Sequence, residues 1–217
     1  MTTAASIYYT SPTRLKRYDR CPAEAAVTLA GSGDSEGAPA QIAGKLRHSL
    51  IEDYYRTGIW PESLDEDVNR EMAQARLRTG FFPPRDWVLS IEASGIPEHL
   101  TTTEHGRVLF KVPVTKDWGL RGAADWVGVD PARPTELLIV DWKGRTEEDH
   151  SIQASSYALV YQMIFPEYET YRVECKSVQT GRVDAYVYDL VTFPATLNAL
   201  DALVTRMRKD QDRQPTV

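Results

Sequence analysis

The residues best suited to chemistry are an aspartate and a lysine two positions apart in a short apolar segment. The segment 136–143 reads Glu-Leu-Leu-Ile-Val-Asp-Trp-Lys, so Asp141 and Lys143 would share one face of a β-strand. A second acid, Asp125, interrupts the apolar stretch before it, over 120–130. Two carboxylates beside an ammonium group could hold a hard cation and act on a phosphate ester.

Strand alternation predicts which side chains share a face with these acids. One face of the later strand should carry Leu137, Ile139, Asp141 and Lys143, and the other Leu138, Val140 and Trp142. In the earlier strand, the side chains expected to point one way are Ala123, Asp125, Val127 and Val129. Neighbouring carboxylates repel unless a proton or a cation lies between them, and oxygen ligands suit magnesium or manganese. A metal site is therefore one interpretation, and an ordinary strand-end ion pair of small energetic value is the other.

Lys143 has more than one chemical role open to it in such a site. It could orient or deprotonate a water for in-line attack on a phosphodiester. It could equally stabilise the negative charge that develops on phosphorus.

Composition limits the class of protein that could hold this site. The chain has 217 residues, of which 42% are hydrophobic, and a net charge of −6. We expect one globular domain over 1–217, and a disordered or fibrous protein is excluded. Net acidity argues against holding nucleic acid by bulk electrostatics, although carboxylates gathered around a cation could still engage phosphates. The motifs of acyl hydrolases and of nucleotide-driven motors do not occur.

Cysteine usage and hydropathy indicate where such a protein works. Cys21 and Cys175 are its only cysteines and lie far apart, which favours a reducing cytoplasm. The longest apolar run is 137–140, far below the roughly 18 residues of a membrane span. The first ten residues lack the features of a secretion signal. We expect neither export nor contact with a membrane.

Apolar periodicity and turn residues predict an α/β protein, with a mixed central β-sheet flanked by helices. A first helix should cover 11–30, with Ser11 as its N-cap and a break near Cys21-Pro22, followed by a flexible loop over 31–40. Two further helices should end near Gly58 and Gly80. The remaining elements are expected as strands over 87–91, 108–114, 123–129, 137–142, 171–178 and 183–190, and helices over 149–164 and 194–209.

Five short motifs follow one another along the chain: Leu15-x-x-Tyr18-x-x-Cys21-Pro22, Gly44-x-x-x-His48, Gly122-x-x-Asp125, Ile139-Val-Asp-Trp-Lys143 and Gln153-x-x-x-Tyr157. In this order they resemble the PD-(D/E)xK nuclease superfamily. Within it they resemble the RecB-type domains of helicase-attached exonucleases, CRISPR-associated nucleases and stand-alone phage exonucleases. The resemblance covers most of the chain and implies a restriction-endonuclease-like αβββαβ core.

The resemblance also implies roles for particular residues. His48, Asp125 and Asp141 would ligate Mg²⁺ or Mn²⁺ together with the backbone carbonyl of Trp142. Lys143 would serve the attacking water, and Gln153 with Tyr157 would steady the DNA or the lysine. The spacing of Gln153 and Tyr157 independently places both on one helical face.

Several of these residues have a simpler explanation open to them. His48 would also fit a satisfied histidine on a mostly apolar helix, and Tyr157 would fit the core. Glu52, one turn after His48, would fit an exposed helical glutamate, whereas Glu92 is a candidate for the layer around the direct ligands.

Basic residues in two places could contact DNA phosphates, although a charged helix face is more often simply solvated. The first group lies in the first helix and comprises Arg14, Lys16, Arg17 and Arg20. The second group lies near the C-terminus and comprises Arg206, Arg208, Lys209 and Arg213.

The resemblance implies a metal-dependent DNA exonuclease that works on DNA ends in recombination, repair or phage DNA processing, in the cytoplasm of a bacterial or phage-infected cell. It would act alone or on ends opened by a partner such as a helicase, a recombinase or a single-strand-binding protein. A structure-selective or restriction-type endonuclease, and an idle DNA-binding module, stay open as alternatives. Many relatives hold an iron–sulfur cluster through four cysteines, but two cysteines cannot supply those ligands, so we expect a colourless protein without a cluster.

Overall fold

Five helices and eight short strands make up the part of the chain that the computed structural model describes, which is residues 7–22, 39–88, 100–102, 108–144 and 149–212. The helices are α1 (Pro12–Arg20), α2 (Pro39–Thr57), α3 (Glu66–Arg76), α4 (Ser151–Ile164) and α5 (Phe193–Asp212). The strands are β1 (Tyr8–Thr10), β2 (Leu100–Thr102), β3 (Val108–Pro113), β4 (Trp118–Ala124), β5 (Trp126–Val129), β6 (Glu136–Lys143), β7 (Thr170–Ser177) and β8 (Val183–Asp189). None of the helices in these ranges has the length and apolar character that a bilayer crossing requires.

Local sequence signals fix the ends of the helices. The Ser11 side chain accepts a hydrogen bond from the Arg14 amide at 3.2 Å, and Pro12 occupies the first turn of α1. The helix stops at Arg20, which confirms the break predicted at Cys21. Helix α2 ends just before Gly58, and the turn after α3 closes at Gly80; both glycines adopt positive φ angles, 80° and 70°.

The first predicted helix, the predicted loop and the first predicted strand differ from the structure or lie partly outside the described residues. Pro39 already belongs to α2, so the loop predicted over 31–40 ends earlier, and its residues 31–38 lie outside the described residues, as do 23–30 of the first predicted helix. The strand predicted over 87–91 is wrong at its start, because Arg85–Trp87 form a 3₁₀ turn and Val88 makes only an isolated bridge to Gly128. Residues 89–91 are not among those described.

The predicted α/β class with mixed pairing is confirmed, and the strands divide into two four-stranded sheets. One sheet has the order β1-β4-β3-β2, with β1 parallel to β4 and the other pairs antiparallel. The second has the order β5-β6-β7-β8, with a parallel pair at its centre, between β6 and β7. Strands β4 and β5 are consecutive, so the chain passes from one sheet to the other at the single residue between them, Asp125.

A change of facing accompanies this passage. Before it, Leu120 and Ala124 point into the larger core; after it, Val127 and Val129 do. The inward positions thus switch from even to odd residue numbers across Asp125. The single strand predicted over 123–129 is therefore wrong, since Ala124 ends β4 and Trp126 begins β5 in the other sheet. The prediction that Ala123 and Val127 point the same way is wrong for the same reason, because period two holds only within an unbroken strand.

Two apolar cores pack on opposite faces of β6. The larger core joins Leu137 and Ile139 to side chains of α1, α4 and α5, while Leu138, Val140 and Trp142 pack with side chains of α2 and α3 in the smaller core. This confirms the predicted alternation of β6. Asp141 and Lys143 therefore lie at the end of the stripe that faces the larger core.

A pair of glycine substitutions tests this packing. At Gly128 an added Cβ would lie 2.1 Å from the Trp87 carbonyl oxygen and 2.4 Å from the Trp126 ring. We expect Gly128→Ala to lower the free energy of unfolding by roughly 1–3 kcal/mol, because backbone must shift to make room. Gly44 in α2 has no atom within 4 Å of the same position. Gly44→Ala should raise the free energy of unfolding by about 0.5–1 kcal/mol, because alanine has the higher helix propensity.

Urea denaturation followed by circular dichroism measures both variants. An unchanged midpoint for Gly128→Ala would contradict the close approach of Trp87 to β5.

Candidate functional site

Asp125 ties three separate segments of the chain together. Its Oδ1 lies 3.0 Å from His48 Nδ1 on α2, and its Oδ2 accepts a hydrogen bond from the backbone amide of Trp142 on β6 at 2.8 Å. The carboxylate can reach both because it occupies the bend between β4 and β5. Residues 48, 125 and 142 are distant in sequence, and this one side chain brings them into contact.

Asp141 and Lys143 form a close ion pair at the end of β6. Asp141 Oδ2 lies 2.5 Å from Lys143 Nζ, and the carboxylate is almost completely buried. The same Oδ2 makes no hydrogen bond of good geometry, so its contact with the ammonium is electrostatic rather than directional. A buried carboxylate oxygen without an aligned donor is costly unless a cation neutralises it.

Tyr157 connects α4 to both acidic strands. Its hydroxyl donates to the Ala123 carbonyl at 2.9 Å and lies 3.4 Å from Asp141 Oδ1. Since a phenol has one proton, the shorter contact is the principal bond. Gln153 donates to the same hydroxyl from one helical turn earlier, at 3.2 Å. The α4 pair therefore holds the backbone just before the bend and touches the buried carboxylate.

The charges of the site influence one another. Burial raises the pKa of Asp141, and the nearby Asp125 raises it further against the opposing effect of Lys143. Burial alone would lower the pKa values of Lys143 and His48, but the carboxylates outweigh it and both values are raised. For Lys143 the main opposing group is Asp141, and for His48 it is Asp125. The two cationic groups thus hold their protons more firmly beside the two acids.

The donor atoms of this site fit a hard divalent ion in kind. Asp125 and Asp141 offer carboxylate oxygens, and the poorly satisfied Oδ2 of Asp141 faces a cation already. As the side chains stand, however, no three histidine, cysteine or acidic groups within the described ranges are gathered closely enough to hold a metal. The predicted set of His48, Asp125 and Asp141 is therefore close together without forming a coordination sphere, because His48 and Lys143 occupy the carboxylate oxygens.

An adjoining ion pair was not anticipated from the sequence. Arg47, buried beside His48 on α2, contacts Glu71 of α3 at 2.5 Å, and Gln179 donates to the same carboxylate at 2.8 Å. A Cβ on Gly144, which follows Lys143, would lie 3.2 Å from the Arg47 guanidinium. This network fixes the helix that carries His48 against the end of β6. The Arg-His pair is visible in the sequence, but no spacing signal singles out its partners on α3 and after β7.

The basic residues predicted on α1 do not share one environment. Lys16 Nζ lies 2.9 Å from His150 Nδ1, just before α4. Burial raises the pKa of Cys175 to about 12, and the charge of Lys16 opposes this rise. Cys175 pairs with Asp141 in the β6–β7 register, so Lys16 is directed towards the acidic site. Arg17 and Arg20 are exposed, and Arg14 is half-buried.

The other predicted residues have varied positions. Glu52 lies half-buried on α2, one turn after His48. Glu92 and Arg213 lie outside the described residues. Arg206 lies 3.9 Å from Asp19, and Arg208 stacks over Tyr8 at 5.5 Å. Both cysteines are free thiols.

Comparisons with known proteins identify the family and a similar fold. The family model described as the PD-(D/E)XK nuclease superfamily matches residues 9–216. A solved structure from Eubacterium rectale, described as a candidate exonuclease, is similar in fold with a TM-score of 0.53 and 12% identity, covering 93% of this chain and 80% of its own. No curated protein matches the sequence significantly.

Two further solved structures are similar at TM-scores too low to support an argument. One is SSO0001, with a TM-score of 0.39 and 11% identity over 94% of this chain and 79% of its own. The other is Scheffersomyces stipitis Rai1, with a TM-score of 0.33 and 10% identity over 99% of this chain and 62% of its own.

The charge coupling of His48 gives a test by NMR in metal-free buffer. We expect the imidazole of His48 to titrate above its ordinary pKa of about 6.5. In Asp125→Asn the carboxylate is lost while burial remains, so the pKa should fall below that value. Asp53→Asn, elsewhere on α2, is the matched control and should leave it unchanged.

The same coupling fixes a sign for stability. The pKa of His48 is higher in the folded protein than in the unfolded chain, where it is about 6.5. The His48–Asp125 pair therefore contributes its full stabilisation to the fold below about pH 6.5, and this contribution is lost as the pH rises through the folded pKa. The difference in unfolding free energy between wild type and His48→Gln should therefore shrink above that pH. A pH-independent difference would contradict a titrating pair.

Proposed function

Because the chain belongs to the PD-(D/E)XK nuclease superfamily, we propose that it is a divalent-metal-dependent deoxyribonuclease that hydrolyses phosphodiester bonds at DNA ends. The observation that carries the proposal is the buried Asp141–Lys143 pair beside Asp125, at the junction of the two sheets. A polar group buried next to a like charge is costly for stability, and such groups concentrate at sites of chemistry.

In this proposal the carboxylates of Asp125 and Asp141 hold Mg²⁺ or Mn²⁺, with His48 and the backbone carbonyl of Trp142 completing the protein ligands. A bound ion of this kind supplies Lewis-acid polarisation of the phosphate and a more acidic water. For both carboxylates to serve, His48 and Lys143 must give up part of their present contacts with the acids, at 3.0 and 2.5 Å. Coordination by His48 would also require its imidazole to release the proton that Asp125 favours, so binding of the ion would be linked to proton release.

In the metal-free centre Lys143 is a cation. Its pKa is raised by Asp141 and Asp125, which outweigh its burial, so it keeps its proton at neutral pH. A protonated ammonium can orient the attacking water through that water's lone pair, or bind the charge that develops on phosphorus. To deprotonate water instead, Lys143 would first have to lose the proton that the two acids favour, and a cation bound by those acids would promote that loss.

Gln153 and Tyr157 position the acids. Burial and the two carboxylates raise the pKa of Tyr157 well above its ordinary value, so its hydroxyl remains a neutral donor. Through the bond to the Ala123 carbonyl it fixes the backbone two residues before Asp125. Through its contact with Asp141 it restrains the second acid.

Action at DNA ends is supported by the RecB-type motifs and by the description of the Eubacterium rectale protein as a candidate exonuclease. We propose a role in recombination, repair or phage DNA processing. A helicase, recombinase or single-strand-binding protein would supply the opened ends.

Removal of the site's charges should abolish cleavage without unfolding the protein. We expect Asp141→Asn or Lys143→Met to reduce Mg²⁺-dependent cleavage by at least about a hundredfold to a thousandfold, because each removes a preorganised electrostatic contact. The matched control is Lys176→Met. Glu174 and Lys176 on β7 have the same two-residue spacing as the site pair, and Lys176 Nζ lies 3.0 Å from Glu174 Oε2. They lie on the other face of the sheet, because their partners on β6 are Val140 and Trp142. Retained activity in both site variants, with circular dichroism unchanged, would remove these residues from the mechanism.

Digestion of labelled linear and covalently closed circular DNA, with Mg²⁺, Mn²⁺ or EDTA, tests the choice of substrate. We expect loss of end label from linear DNA only, and none in EDTA. Cutting of the closed circle would instead indicate an endonuclease. Binding of both DNAs without cleavage in either metal would indicate an idle DNA-binding module.

A further inference from the structure

We infer that Lys111 and Arg121 form a binding site for the phosphate backbone of the substrate, on the sheet that leads into the acidic centre. The inference rests on the proposed nuclease function and adds a substrate contact that the sequence motifs do not include. It is carried by the strand register, by the exposure of the two side chains and by the lack of an acidic partner for them among the described residues.

The two residues are placed directly opposite one another. In the antiparallel β3–β4 pair, Lys111 is the cross-strand partner of Arg121. Side chains in this relation have Cβ atoms only about 4.5–5.5 Å apart, and like charges there destabilise the sheet. A stable protein has no structural need for such a pair, and an anion bound between the two side chains would turn the repulsion into attraction.

Their face of the sheet is the one that turns away from the core. The neighbouring residues Phe110, Val112 and Leu120 are buried in the larger core, whereas Lys111 and Arg121 are exposed. Alternation therefore directs both charged side chains to the outer face.

No carboxylate neutralises this pair in the part of the chain that the structure describes. Arg133, by contrast, is an exposed cation that pairs with Glu136 at 3.1 Å. The ammonium of Lys111 lies instead 4.6 Å from the centre of the Tyr9 ring, a contact that orients the cation without cancelling its charge.

The position of the pair relative to the acids indicates what binds there. Arg121 lies on β4, four residues before Asp125, which corresponds to about 13 Å along an extended strand. DNA advances about 3.4 Å per base pair, so this distance spans roughly four base pairs. A substrate whose scissile phosphate reaches Asp125 can therefore place another of its phosphates at Lys111 and Arg121.

On the side towards α2, the described residues leave the acidic centre accessible to such a substrate. His48 is partly exposed where it contacts Asp125, and the position of Gly44, one turn earlier on α2, faces no atom within 4 Å. A polyanion could thus run from the outer face of β3 and β4 past Asp125 towards α2. The pair provides the cationic surface at one end of this track.

The experiment compares two double variants with the same change of charge. Lys111→Gln with Arg121→Gln removes the pair. Lys116→Gln with Arg70→Gln is the control, since Lys116 lies in the exposed β3–β4 turn and Arg70 is an exposed partner of Asp67 on α3. Binding of a fluorescein-labelled 20-base-pair duplex is followed by anisotropy in EDTA over a range of salt concentrations.

Loss of two phosphate contacts should lower the slope of log K against log salt by about 1.8, and the control should leave it near the wild-type value. In Mg²⁺ the double variant Lys111→Gln with Arg121→Gln should have a higher KM and an unchanged kcat, because the contact lies away from the scissile bond. Lys111→Arg with Arg121→Lys keeps both charges and should restore the slope. Urea midpoints for all variants separate loss of contact from loss of fold.

A substrate with one neutral methylphosphonate linkage locates the contact. Wild-type protein should bind less tightly when the neutral linkage lies about four positions from the cleaved bond. The Lys111/Arg121 double variant should be insensitive to that linkage.

Two outcomes separate this inference from the proposed function. If the wild type cleaves DNA and the removed pair behaves as the control does in slope and KM, the inference is wrong while the nuclease function stands. A wild type that neither binds nor cleaves DNA overturns the proposed function and this site with it.

Discussion

Two carboxylates buried side by side, Asp125 and Asp141, are the constraint on which this structure depends. Burial raises the pKa of Asp141 and so disfavours its charged form, and the nearby Asp125 raises that pKa further. The fold answers with two cations, placing His48 against the first acid and Lys143 against the second. The Asp141–Lys143 pair forms within β6, whereas the His48–Asp125 pair joins elements that meet only after folding.

The neighbouring strand shows that spacing alone does not produce such a centre. On β7, Glu174 and Lys176 repeat the two-residue spacing of Asp141 and Lys143 and also form an ion pair. Lys176 is nevertheless held by the carbonyls of Gly80 and Phe81, and burial lowers its pKa despite Glu174. There is one acid beside Lys176, where Lys143 has two. The second acid, delivered by the bend after β4, adds to the raised pKa of Lys143, whereas Arg172 adds to the lowered pKa of Lys176.

The bend also explains how an acidic protein can bring a polyanion to its acids. Because β4 leaves one sheet and β5 enters the other at Asp125, the exposed side chains of the first sheet end next to the acidic centre. Lys16 on α1 contacts His150, which precedes α4. Positive charge is therefore arranged locally around the acids, and the overall charge of the chain says little about its ligand.

The sequence by itself determined what depends on local periodicity and on recognisable motifs. It fixed the capping of α1 at Ser11, the two faces of β6 and the family to which the chain belongs, because each signal lies within a few neighbouring residues or in a set of motifs in order. It also placed Gln153 and Tyr157 on one face of α4. Only the tertiary structure decided the change of facing at Asp125, the contacts of Asp125 with His48 and the Trp142 amide, and the opposition of Lys111 to Arg121. These depend on a break in strand alternation and on the register between strands, and neither quantity is encoded in the spacing of residues along one segment.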